Sequence, residues 1–187
     1  MNSKKLPIIF IVFIVLTTSA ILYFQGRSLI CTCGTVFLWV GDIWSSNNSQ
    51  HLFDPYSFTH LLHGFLFCWL LLLSKKDISY NWKLLLVVMI ESIWEIVENS
   101  SFIINRYREN TLALGYQGDT IINSLSDILM CATGFAIASY LGFKKSLIVF
   151  VITEIILLLW IRDNLTLNII MLLYPLESIK TWQMGNQ

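Results

Sequence analysis

Three groups of side chains in this sequence have the types and spacing to do chemistry. His60 and His63 stand three residues apart. Glu91, Glu95 and Glu98 follow at spacings of four and three, and Asp119, Asn123 and Asp127 at spacings of four and four. In a helix each set falls on one face. Imidazole and carboxylate together suit zinc, manganese or iron, and such a divalent metal activates water for hydrolysis. On this reading His60, His63, Glu95 and Asp119 are the metal ligands. Glu91, Glu98 and Asp127 are the catalytic carboxylates, with Glu91 or Glu98 as general base. Asn99 and Asn123 orient ligands or substrate from behind. Each set has a plainer alternative. A lone histidine is usually a satisfied core residue. Asp119 could simply cap a helix, which does not reach Asp127, two turns deeper. The glutamates could form the wet face of a soluble amphipathic helix, but the unbroken apolar run at 84–90 argues against it.

The elements that must position these residues are apolar. Hydrophobic residues make up 56% of the 187 and charged residues 13%, against roughly 45–50% and 25% in an ordinary soluble domain. Mean hydropathy is +0.67. A formal net charge of zero and the lack of a basic tract exclude nucleic acid as a partner. The composition predicts an all-α fold: a polytopic membrane bundle of about five transmembrane helices, forming one membrane domain over residues 1–187. The expected helices are 6–24, 58–74, 82–104, 120–143 and 146–161, with an extracytoplasmic loop at 25–57 and a short interfacial or re-entrant C-terminal segment. A cleaved signal peptide is the rival reading of the first run, but its continuation to Phe24 favours a retained helix. Among the extramembrane cations, Lys4, Lys5, Lys75, Lys76, Lys83, Lys144 and Lys145 mark alternate loops. The positive-inside rule then puts the N-terminus in the cytoplasm and the C-terminus outside.

With that topology, all three clusters approach the outer half of the bundle, where chance placement would have scattered them between leaflets. Ionisable groups in a spanning helix cost on the order of 3 kcal/mol each and persist when paired, metal-bound or wetted. Arg106, Arg108 and Arg162 could neutralise the acidic stripe or hold a lipid phosphate, and so are candidate substrate-binding residues. Cys68 and Cys131 lie in apolar runs and read as packing residues. Cys31 and Cys33 are either a redox pair or two structural thiols, and the structural reading is preferred, because a Cys-x-Cys pair without partner ligands is no zinc signature.

At these residues the chain resembles the bacterial inner-membrane family known as domain of unknown function 2585, or uncharacterised protein family 0314. The resemblance rests on Cys31 to Gly34, Ser49 to His51, His60 to Gly64, Glu91 to Asn99, Arg106 to Arg108, Gly118-Asp119, Asn123 to Asp127 and Ile161 to Asn168, and so covers nearly the whole chain. It implies a multi-pass bacterial inner-membrane protein and brings no established activity. A looser likeness is to the VanZ-like membrane proteins, from which the glutamate-rich segment and the Cys-Thr-Cys-Gly loop depart. Three functions stay open. The first is a metal-dependent membrane-embedded hydrolase or transferase acting on a lipid or lipid-linked substrate at the periplasmic leaflet. The second is an ion- or proton-coupled transporter, and the third a structural or assembly protein.

Overall fold

A computed structural model describes residues 6–74, 77–111 and 115–185. Among them are seven helices: α1 (Leu6–Phe24), α2 (Ser57–Leu72), α3 (Tyr80–Glu98), α4 (Ser101–Asn110), α5 (Ile121–Ile161), α6 (Leu165–Leu173) and α7 (Glu177–Met184). The fold is all-α, as expected. The expectation of about five membrane-spanning helices is overturned. By length and composition α1 alone, with a mean hydropathy of 2.5, is long and apolar enough to cross a bilayer. Two physical reasons stand out. At 16 residues α2 is about 24 Å long, short of a hydrocarbon core of about 30 Å. α3 carries Lys83, Glu91, Glu95 and Glu98. α1 thus suggests association with a membrane. The alternation of loops inferred from lysines rests largely on Lys4, Lys5, Lys75 and Lys76, which lie outside the described residues, and it has no support from the single such helix among the described residues.

Several expected boundaries shift for local reasons. The third expected helix breaks at Asn99, whose Nδ2 donates back to the Glu95 carbonyl (3.1 Å) and across to Asp119 Oδ2 (2.8 Å). The chain restarts as α4 with Ser100 as its cap. Within α5 the backbone leaves helical geometry at Gly142, where φ is +71°. A left-handed φ of this kind suits a residue without Cβ, and it ends the first stretch just before Lys144 and Lys145. Beyond it the chain folds back along α2. Trp69 Nε1 donates to Ser146 Oγ (2.9 Å), its ring packs on Phe143 and Phe150, and Trp160 stacks on Trp39 near the start of α2.

The α2–α5 contact forms the core, with Phe65, Cys68, Val87, Cys131, Phe135 and Ala138 buried together. Cys68 and Cys131 are free thiols packed there, as their apolar surroundings suggest. α2 and α5 cross closely at two glycines. A Cβ built on Gly64 would lie 2.0 Å from the Cys131 carbonyl oxygen, and one on Gly134 would lie 1.9 Å from that of Leu61. The segment 25–56 has neither helix nor ladder beyond a parallel bridge between Trp39 and Phe53. It lies across the start of α5, where Thr120, Ile121 and Ile122 donate to the carbonyls of Ser49, Ser28 and Leu29. Ile148, Ile152, Ile155, Ile156 and Leu159 are exposed along the second half of α5, an apolar stripe of the kind that marks a contact surface.

Candidate metal and substrate site

Glu91 occupies the centre of the site. It is fully buried on α3, and its carboxylate faces both histidines of α2. Its Oε1 lies 2.6 Å from His60 Nδ1 and 3.0 Å from His63 Nδ1, and its Oε2 lies 3.1 Å from His63 Nδ1. A carboxylate accepts, so each Nδ1 carries a proton, and a neutral ring then keeps its lone pair on Nε2. Burial opposes a charge on His60, but Asp127, Glu91 and Glu95 outweigh it and hold the ring well above its ordinary value, so an ion at Nε2 would have to displace a proton. The i,i+3 spacing places both rings on the same face of α2, 5.2 Å apart and nearly perpendicular.

Two further carboxylates face His60. Asp127, on α5, brings Oδ2 to 3.9 Å from His60 Nε2. Glu95 is fully buried with Oε1 3.4 Å from His60 Nδ1, and neither of its oxygens has a hydrogen-bond partner. Glu98, at the end of α3, accepts from the Tyr107 hydroxyl at 3.1 Å through Oε1, while its Oε2 is unpartnered. Ligand atoms of His60, His63 and Glu91 lie within 4.8 Å of one another, and so do those of His60, Glu95 and Glu98. Both groups could hold a metal ion.

Asp119 does not cap α5. Thr120 does, its hydroxyl accepting from the Asn123 amide at 3.3 Å. Asp119 is thereby free to accept from Asn99 Nδ2 and from the Tyr116 hydroxyl (2.9 Å), while Asn99 Oδ1 takes the Asp119 amide at 2.7 Å. Burial holds its carboxyl above the usual range despite these donors. Asn123 donates to the Leu52 carbonyl at 3.4 Å. The three arginines bind main chain. Arg106 donates to the Leu172 and Leu173 carbonyls, Arg108 to that of Tyr116, and Arg162 to that of Trp182.

His60, His63, Glu98, Asp119 and Asp127 line a cavity of about 520 Å³, together with Asn48, Ser49, Tyr56 and Thr59 from the 25–56 segment and the start of α2. Apolar side chains make up much of the remaining lining, including Phe67, Trp94 and Val97 and the α6 residues Leu165, Ile169 and Leu172, with Asn168 of α6 among them. Lysine and arginine are absent from the described lining, while Glu98, Asp119, Asp127 and Asp163 contribute to it.

Sequence reasoning missed two buried aspartates. Asp54 accepts from the amides of Ser49 (2.9 Å), Tyr56 (2.8 Å) and Ser57 (3.3 Å), and so ties the loop to the start of α2. Its signal was Asp-Pro just before an apolar run. Asp163, next to the flagged Arg162, accepts from the Tyr56 hydroxyl (3.3 Å), Gln183 Nε2 (3.0 Å) and the Asn164 amide (2.9 Å). Burial raises Asp54 to about 6 and Asp163 to about 7. Both folded-state values exceed the unfolded one, so the folded chain holds protons that the unfolded chain has lost. Their contribution therefore falls as pH rises from about 4 to about 7. Denaturant unfolding should show lower stability at pH 8 than at pH 5, and Asp163→Asn should flatten that fall. An unchanged slope would remove Asp163 as its source.

The family model described as "Protein of unknown function (DUF2585)" matches residues 22–185. The chain belongs to the DUF2585 family. It is 48% identical over 164 residues to a UPF0314 protein of Brucella anthropi, covering 88% of this chain and 83% of that one. It is 44% identical over 172 residues to one of Paracoccus denitrificans (91% and 89%), and 46% identical over 167 residues to one of Sphingopyxis alaskensis (89% and 89%). No solved structure matches. The DUF2585 matches span the glutamate stripe and both histidines, and they do not show the looser VanZ likeness.

Proposed function

We propose that this DUF2585 protein is a metal-dependent hydrolase or transferase whose substrate is a lipid or lipid-linked molecule. The observation that carries the reading is the single carboxylate, Glu91, bonded to the Nδ1 of two imidazoles. This is how a protein fixes the tautomer of metal-ligating histidines and aims their Nε2 lone pairs. His60 and His63 are the nitrogen ligands, and Asp127, facing His60 Nε2, supplies an oxygen. Glu95, 3.4 Å from His60 Nδ1, and the buried Asp119 of the same cavity would complete or tune the set. The ion would be zinc, manganese or iron, by the mixture of nitrogen and oxygen donors. Such an ion polarises a carbonyl or phosphoryl oxygen and acidifies bound water.

The chain's own groups supply the rest. Glu98 keeps Oε2 free to take a proton from water, while Tyr107 steadies Oε1. Asn99 and Tyr116 hold Asp119 in place. The apolar part of the cavity lining suits an acyl or isoprenoid chain, and its histidines and carboxylates the bond to be cleaved or transferred. Because lysine and arginine are missing from the lining, an anionic head group would need the metal as its counter-charge.

Elemental analysis of the purified full chain tests the proposal. One equivalent of zinc, manganese or iron is expected, lost in the His60→Ala, His63→Ala double variant. Folded wild-type protein that holds no metal after dialysis against each of the three ions would end the proposal.

A further inference from the structure

Cys31 and Cys33 are joined in a disulfide, which the sequence reading did not favour. A cross-link gains most by closing long loops, and this one spans a sequence separation of 2, so it does little to hold the fold. Its two sulfurs are in unequal surroundings. Cys33 is exposed, whereas Cys31 is 5% exposed. The Cys33 amide points at Cys31 Sγ, 3.1 Å away.

Beside them is His51, 1% exposed, with a ring nitrogen within 4.8 Å of both sulfurs. Its Nδ1 accepts from the Phe37 amide at 3.2 Å, which leaves the neutral ring's proton on Nε2. That buried nitrogen has no hydrogen-bond partner. A neutral ring so arranged has no lone pair left for a metal, but it has a donor to offer an anion.

We propose that Cys31–Cys33 is a redox-active pair that exchanges with a dithiol, and that His51 stabilises the thiolate released at Cys31. The thiolate of the donor attacks the exposed Cys33 Sγ. The Cys31–Cys33 bond breaks, and its electron pair leaves on Cys31 Sγ, facing the Cys33 amide and His51. The donor's second thiolate then attacks its own sulfur in the mixed disulfide and frees Cys33. Two electrons pass to the pair, two protons follow to give two thiols, and the donor departs as its disulfide. A stabilised leaving thiolate speeds the first step. This inference is independent of the metal reading.

The test uses the full chain in detergent, incubated natively with dithiothreitol or reduced glutathione, alkylated at intervals and mapped by peptide mass. Reduction of the pair in folded protein is expected, with a Cys31 thiol that titrates below the ordinary value of about 8.5. His51→Gln and His51→Ala should each slow reduction about tenfold and raise that titration. Resistance to both reductants until the chain unfolds would overturn the redox role. A wild-type Cys31 titrating at or above the ordinary value would overturn the role of His51 even if neither variant folds. So would a folded variant reduced at the wild-type rate.

Discussion

Glu91→Gln is expected to weaken metal binding by about 10–100-fold, with the helices still folded. One carboxylate now accepts from two imidazole N–H groups, at 2.6 Å from His60 and at 3.0 and 3.1 Å from His63. An amide of the same size has one oxygen and an NH2. If the oxygen serves one ring, the NH2 faces the other, whose Nδ1 must then accept and whose proton must move to Nε2. That ring can no longer ligate. The substitution changes no volume and leaves Asp127 and Glu95 in place, so the loss reports on the Glu91 carboxylate itself. Titration of metal-free protein with zinc, followed by calorimetry, measures it. Equal affinities for wild type and variant would show that the Glu91 carboxylate does not support a metal at the two imidazoles.

Glu95→Leu should do two opposite things. Glu95 is fully buried and both its oxygens lack hydrogen-bond partners, which costs about 1–3 kcal/mol in a folded protein. A leucine fits the same wall without that cost. The metal-free variant should therefore be more stable than metal-free wild type by about 1–3 kcal/mol in denaturant unfolding, while metal affinity and turnover fall. A carboxylate retained at the expense of the fold is the expected mark of a functional group. If the variant proved less stable than wild type, Glu95 would be a structural residue.

Much of this arrangement was legible in the chain. α1 begins and ends where its apolar run does, and α2 lies within a residue or two of the run at 58–74. The periodicities correctly placed His60 with His63 and Glu91 with Glu95 on common faces, because helical geometry is local. The number of bilayer crossings was misjudged because apolar content alone does not say whether a run meets lipid or packs internally. Val87, Val88, Phe65 and Phe135 are buried within the protein itself. The contributions of Asp54, His51 and Asp163 were hidden for another reason. They belong to irregular segments, where no repeat links residue type to direction, and their partners are main-chain amides or distant side chains. The main-chain partners of the arginines were equally hidden, since sequence does not display which carbonyls a cation will meet.

The close approach of Gly64 and Gly134 has a consequence beyond packing. Gly64 is one turn past His60, and Gly134 two turns past Asp127. With main chain touching main chain, α2 cannot slide along α5, so the gap between imidazole and carboxylate is gauged by two residues that bear no functional group. A single methyl at either would lever the two helices apart and pull the donors out of reach of a common ion. The tolerances of the site are thus held outside it, like the stop on a caliper.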